Sequence, residues 1–550
     1  MNRPNSYPSA PPQNASLPLR FLPFLGSVAV FLLALLTAVA FDSGWWALLL
    51  SGFFVAVGVH DLLQSKHAVL RNYPISGHIR FLLESIRPEI RQYFLEDEHE
   101  RTPFSRAQRS LVYQRAKGES DKRPFGTQLD VAADGYEWIN HSLQPTALAS
   151  HDFRLSIGNA ACQQPYSASI FNISAMSFGA LSANAVLALN AGAKAGGFAH
   201  DTGEGSISRY HREHGGDLIW EIGSGYFGCR DGQGRFDPEK FAAQAQDPQV
   251  KMIELKLSQG AKPGQGGLLP ASKITPEIAE ARDIPMGQNC HSPAAHSAFS
   301  TPLEMMAFLQ QLRQLSGGKP VGFKLCIGHP WEWFAMVKAM LKTGITPDFI
   351  VVDGAEGGTG AAPLEFTDHV GVPLQEGLQL VHNTLVGAGL RSHIKIACAG
   401  KVISAFDIVR MMALGADWCN SARGFMFALG CIQSLQCHSN RCPTGVATQD
   451  PQRQRALDPG DKAERVHSYH DKTLKALKEM VQAAGLQHPN DITGAHIVRR
   501  VNGQDVQLLS RVLMHVRPMD LLQEDLRSLP EVFQHYWPVA QADTFACAMH

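Results

Sequence analysis

From about Ser167 to Ser421 short apolar runs alternate with helical stretches, and this alternation constrains the fold more than any other feature of the chain. The strand candidates are Ile170–Ala175, Gly197–Ala199, Met252–Leu257, Pro285–Asn289, Val321–Leu325, Phe349–Val352, Ile394–Ala399 and Asp417–Ser421. The helical stretches include Ala183–Ala195, Pro302–Leu315, Pro330–Thr343, Leu374–Val386 and Ala405–Leu414. Eight strands with intervening helices over this span match the size of an α/β fold of the (β/α)8 TIM barrel type. A doubly wound open sheet is the alternative, but no G-x-G-x-x-G follows the first strand to support it.

In such a barrel the chemistry sits on the loops at the carboxyl ends of the strands. Met176-Ser177-Phe178-Gly179 follows the first expected strand, Asp201-Thr202-Gly203-Glu204-Gly205 the second, and Gln259-Gly260-Ala261-Lys262-Pro263-Gly264 the third. Asp353–Gly360 follows the sixth and Ala399-Gly400-Lys401 the seventh. Loops that only connect need no such glycine content, whereas loops that press backbone N–H groups against an anionic ligand do. Ala399-Gly400 and Ala422-Arg423-Gly424 follow strands seven and eight, where barrels commonly hold phosphate, and an arginine there can grip it bidentately. Lys324 ends the fifth strand between Gly322 and Cys326, and a lysine there is expected to point into the site.

Beyond the last strand, Cys431, Cys437 and Cys442 are separated by five and then four residues and closed by Pro443. That spacing does not lie on one helix face. It suits an iron–sulfur cluster, with three buried core thiols as the alternative. Zinc is disfavoured because no fourth ligand is obvious beyond His438. The other seven cysteines are scattered singly and read as reduced core residues of a cytoplasmic domain.

Residues 1–19, rich in Pro, Ser and Asn, read as a flexible tail. Phe21–Phe41 is apolar without a charge, and a second apolar run follows from Trp45 to about Val59. The lengths suit two antiparallel membrane helices, a hairpin over residues 20–62. Arg3 and Arg20 before it and Lys66 and Arg71 after it place both ends in the cytoplasm, making a two-pass protein of the inner membrane. Residues 63–150 carry prolines at 74, 88, 103 and 124 and are expected to form short helices and loops packing on a barrel domain of residues 151–450. Residues 451–550 read as a helical extension, with helices around Lys472–Ala484 and Asp520–Arg527 covering the barrel. With 49 basic against 50 acidic residues no global field recruits nucleic acid, which leaves small molecules, lipid and protein partners.

Met176–Ser182, the Gly260-Ala261-Lys262-Pro263-Gly264 loop, Gly357-Gly358-Thr359-Gly360 and the three cysteines, in this order, resemble the FMN-binding synthase domain of glutamate synthases. The resemblance implies FMN contacts from Met176, Ser177, Lys256, Gln259, Lys324, Gly358, Thr359, Gly400, Ala422, Arg423 and Gly424. It implies a three-iron (3Fe-4S) cluster on Cys431, Cys437 and Cys442, and a dicarboxylate substrate near Glu204, Lys262 and Arg282. The activity it implies is reduction of 2-iminoglutarate, formed from 2-oxoglutarate and ammonia or an amine, to glutamate or an N-substituted glutamate. The chain departs from the pattern at Gln265, where the family has Glu, at Leu268, where a polar residue is expected, and at Ala422-Arg423, where Gly-Thr is usual. Neither an amidotransferase domain nor the family's long β-helix is seen, nor a second nucleotide fold, so electrons are expected from a ferredoxin, a separate reductase or quinone. An electron relay that makes no amino acid is the alternative reading, and a homo-oligomer stays open.

Overall fold

The computed structural model describes residues 19–97, 103–269, 271 and 274–547. The chain forms two compact units, residues 1–98 and 99–550.

In the first unit, helices Leu22–Phe41 and Trp45–Leu63 pack side by side and are each long and apolar enough to cross a membrane. The turn between them uses left-handed backbone at Asp42 (φ 45°) and Gly44 (φ 85°). The two helices approach closely at Gly58, where a Cβ would lie 2.2 Å from the Phe24 ring, so a small residue is required there. Leu32, Leu33, Leu36 and Val39 point outward. Asp61 is fully buried near the end of the second helix and accepts hydrogen bonds from the Ile75 amide (3.0 Å) and His78 Nε2 (2.9 Å). This pairing ties helix Gly77–Ile90 to the hairpin.

The second unit is built on a closed parallel barrel of eight strands. In chain order these are β1 (Phe171–Ile173), β2 (His200–Asp201), β3 (Leu218–Ile222), β4 (Val250–Lys256), β5 (Val321–Leu325), β6 (Phe349–Asp353), β7 (Lys395–Ala399) and β8 (Trp418–Ser421). Closure is made by β8 on β1, with Asn420 opposite Asn172. Lys324 stands opposite Lys256 on one side and Val351 on the other, which sets the level of the strand ends. Strands and helices alike contribute to a single buried core, as the parallel architecture requires.

Three expectations are corrected. Leu218–Ile222, absent from the expected set, is the third strand; its run Leu218-Ile219-Trp220 between glycines was the available signal. Pro285–Asn289 is not a strand but part of the excursion between β4 and β5, where Leu268–Leu269 pairs with Cys290–His291. The second strand falls at His200–Asp201 rather than Gly197–Ala199, because Gly197 (φ 65°) ends the preceding helix, Ala183–Gly196.

The expected helix at Lys472–Ala484 is the end of a longer one, Pro459–Ala483, capped by Asp458 and packed between the helices that follow β1 and β7. It therefore occupies the eighth outer position of the barrel. Asp520–Arg527 forms only a 3-10 turn at Asp520–Leu522, and a short helix follows at Glu531–Tyr536. A small antiparallel sheet, unforeseen from the sequence, pairs Glu137–Ile139 with Ile497–Arg500 and Val506–Leu508.

Candidate active site

Strands β2, β3, β4 and β5 bring Asp201, Glu221, Glu254 and Lys324 together inside the barrel. Lys324 Nζ, on β5, is buried against Glu221 of β3 and lies 3.3 Å from Glu254 Oε1 of β4. Asp201, Glu221 and Glu254 place ligand oxygens within 4.8 Å of one another, and all three side chains are buried. Burial, and then the Glu221 charge, raise the Asp201 carboxyl to about 7; burial and the Asp201 charge raise Glu254 as well. Burial works against the Lys324 ammonium, yet the surrounding carboxylates outweigh it and hold that proton firmly. Sequence reading singled out Lys324 but gave no role to Glu221 or Glu254, because an acidic residue inside an apolar strand carries no local signature.

Above Lys324 lies a cavity of about 60 Å³ lined by the loop ends: Ser174 and Ala175 after β1, Gln259 and Gly260 after β4, Gly358 after β6, Gly400 and Lys401 after β7, and Ala422 and Arg423 after β8. Backbone contacts set its walls. The Gly260 amide donates to Asp353 Oδ2 (2.8 Å), and a Cβ at Gly260 would lie 2.0 Å from the Gly354 carbonyl oxygen. Arg423 Nη2 donates to the Thr359 carbonyl (3.1 Å), joining the loops after β6 and β8. Gly424 faces away, against the Tyr469 hydroxyl and Ser421 Oγ, so it packs the loop from behind. Met176 and Ser177 sit one step beyond the lining, wedged against Gly203, where a Cβ would meet the Ser177 nitrogen at 2.5 Å.

Gln259 also lines a second, smaller cavity, of about 30 Å³, together with Glu204, Lys256 and Lys262. Lys256 Nζ is 2.8 Å from Glu204 Oε2. Burial alone would raise the Glu204 carboxyl, but Lys256, with Arg282 and Lys262 behind it, holds it down at about 2. Lys262 is depressed by burial, partly restored by Glu204. Arg282 lies outside this lining: it is buried, donates to the Phe178 carbonyl (3.2 Å), and its guanidinium sits 5.0 Å from the centre of the Phe227 ring. Beneath Lys256, its carbonyl accepts from His296 Nε2 (2.8 Å), and His296 Nδ1 accepts from the Tyr226 hydroxyl (3.0 Å). Burial favours the neutral imidazole, lowering His296 to about 4.

Cys431, Cys437 and Cys442 line one cavity of about 1160 Å³, whose wall also includes Phe104, Gly358, Lys401 and Arg423 of the first cavity. The loop that carries them turns through left-handed backbone at Gly430, Gln433, Leu435 and Asn440. Tyr113 donates to the Cys431 carbonyl (2.6 Å) and Gln433 Nε2 to the Phe104 carbonyl (3.2 Å), so segment 104–117 braces it. Burial pushes the Cys431 thiol up to about 11. At Cys442 burial acts the same way but is outweighed by the Thr444 hydroxyl and the amides of Ala447, Thr444 and Val446, which favour the thiolate.

The conserved region of glutamate synthase matches residues 142–487. The chain is 38% identical over 487 residues to the glutamate synthase large subunit-like protein YerD of Bacillus subtilis, covering 81% of this chain and 92% of that one. It is 34% identical over 323 residues to the archaeal glutamate synthase [NADPH] of Methanocaldococcus jannaschii, covering 58% of this chain and 60% of that protein. Among solved structures, a mandelate oxidase variant with (S)-mandelic acid aligns over 78% of this chain and 98% of its own at 13% identity, with a TM-score of 0.40. On the family match and the YerD relationship, the chain belongs to the glutamate synthase family of oxidoreductases.

Proposed function

We propose that the chain is a membrane-tethered, FMN- and iron–sulfur-dependent oxidoreductase that reduces the imine of 2-oxoglutarate with ammonia, or with a small amine, to glutamate or an N-substituted glutamate. One juxtaposition carries this reading: Gln259 joins a glycine-walled cavity above Lys324 to a smaller pocket lined by Lys262 and the Lys256–Glu204 ion pair, while three thiols face the adjoining cavity.

The residues fit the groups assigned to them. A Cβ at Gly260 would collide with the Gly354 carbonyl and one at Gly358 would lie 2.7 Å from Arg423 Nη2, so glycine at both positions lets the loops close around the cavity assigned to the flavin. Cys431, Cys437 and Cys442 all line one cavity, and three thiols at this spacing are a donor set that suits an iron–sulfur cluster. When bound, FMN supplies two-electron reduction and the cluster delivers electrons singly.

The chain's own side chains supply binding and charge. Lys262 holds a substrate carboxylate, while Arg282 works from below by fixing the Phe178 loop and adding positive field. Glu204, held down at about 2 by Lys256, is ionised at neutral pH and brings a negative charge to the site. Its Oε2 keeps the Lys256 ammonium in place, and its negative charge favours the protonated iminium form, which is the more easily reduced. Lys324 keeps a fixed cation in the lining of the cavity that would hold the flavin, where a positive charge would favour a reduced, anionic cofactor.

Residues 20–62 anchor the enzyme in the inner membrane, with the barrel in the cytoplasm and a separate reduced protein or a quinol as electron donor. Two measurements on purified protein test the reading. Acid extraction should release FMN together with iron and sulfide, and 15N-ammonium with 2-oxoglutarate and a chemical reductant should yield 15N-glutamate. Flavin without iron, or no label in any amino acid with ammonium or simple amines, counts against it.

A further inference from the structure

The helix that follows the hairpin is apolar on the wrong side for a soluble surface. In Gly77–Ile90, residues Ile79, Leu82, Leu83, Ile86 and Ile90 recur at intervals of three and four and form one stripe about 100° wide. The first four are 60%, 60%, 54% and 39% exposed. The opposite side does the packing: Gly77 is pressed against Leu70, and Phe81 meets the His67 ring edge to face at 5.6 Å. Arg80 and Glu84, paired at 2.8 Å, and Arg87 border the stripe. A π turn, Arg91–Leu95, continues the helix and leaves Tyr93, Phe94 and Leu95 exposed at 55%, 82% and 72%.

We propose that this helix lies in the plane of the bilayer, with its Ile and Leu stripe and the Tyr93-Phe94-Leu95 end seated at the headgroup and acyl boundary. The inference rests on the membrane-anchor reading and extends it from a spanning hairpin to a surface-lying element. Two observations favour lipid as the occupant. The helix is fixed to the hairpin by the buried Asp61 contacts to Ile75 and His78, so it is held beside the residues where the second span ends. An exposed contiguous patch of this kind is rare on a soluble surface, whereas a narrow apolar stripe bordered by charges is the mark of an interfacial helix.

The test is site-specific photo-crosslinking of the full-length protein in vesicles of phosphatidylethanolamine and phosphatidylglycerol. p-Benzoylphenylalanine is placed singly at Leu83 on the stripe, at Glu84 on the polar side, and at Leu33 in the first spanning helix, all exposed positions that tolerate a large side chain. Lipid adducts at Leu83 several-fold above those at Glu84, and comparable with those at Leu33, are expected. Lipid adducts at Leu33 with none at Leu83, or Leu83 cross-linking to residues of the 99–550 unit, would overturn the inference and leave the hairpin standing. Failure of Leu33 to label lipid would overturn the anchor and this inference with it.

Discussion

At the scale of single residues the site separates charges that titrate from charges that do not. The Glu204 carboxyl is held near 2, below its unfolded value of about 4.3. It therefore contributes stability that is present above the unfolded pKa and lost as pH falls between the two. Thermal melts of wild type and Glu204→Gln should differ most at neutral pH and converge towards pH 2. Asp201 behaves in the opposite sense. Its folded value of about 7 exceeds the unfolded one, so its contribution is present at low pH and fades as pH rises to and past 7. Asp201→Asn should flatten that limb of the stability profile, and an unchanged slope between pH 5 and 8 would show that Asp201 titrates normally. If Lys262 holds a substrate carboxylate as proposed, Lys262→Ala should cost about 2 kcal/mol of binding, read as a rise of about thirty-fold in KM for the 2-oxo acid with flavin content unchanged. These roles were partly legible in the sequence. Lys262, Lys324 and the cysteines stood in recognisable settings, but Glu221 and Glu254 look like interruptions of apolar strands until β3, β4 and β5 bring them to one amine.

At the scale of elements, the loops carry the function and the glycines show where they touch. Gly203 combines a φ of 65° with a Cβ position 2.5 Å from the Ser177 nitrogen. Gly203→Ala should therefore separate the loops after β1 and β2, cost about 2–4 kcal/mol and weaken flavin retention, read by denaturant unfolding and flavin release. Cys437→Ser should abolish the electron paramagnetic resonance signal of an oxidised three-iron cluster while the flavin remains bound; a persistent signal would move the cluster elsewhere. The barrel itself was readable because apolar runs and helices alternate. The errors arose where that signal thins. β2 is only two residues long, β3 contains a glutamate, and the excursion after β4 offers the apolar residues of Pro285–Asn289 in a segment that never joins the barrel. The three-stranded sheet of Glu137–Ile139 with Ile497–Arg500 and Val506–Leu508 joins segments far apart in sequence, beyond the reach of local periodicity.

At the scale of the whole molecule, two units divide the labour: residues 1–98 hold the apolar helices, and residues 99–550 hold every candidate site side chain. The account therefore expects membrane attachment and chemistry to be separable. The most direct test of its central claim is anaerobic stopped-flow of the detergent-solubilised protein, reduced beforehand and mixed with 2-oxoglutarate, with ammonium, or with both, while flavin absorbance is followed. Reoxidation that requires both compounds, yields glutamate and is slowed by Lys262→Ala is the expected result. A flavin that stays reduced with ammonium and with every simple amine, yet reoxidises with a quinone or a protein acceptor, would contradict the synthase reading and make the chain an electron relay.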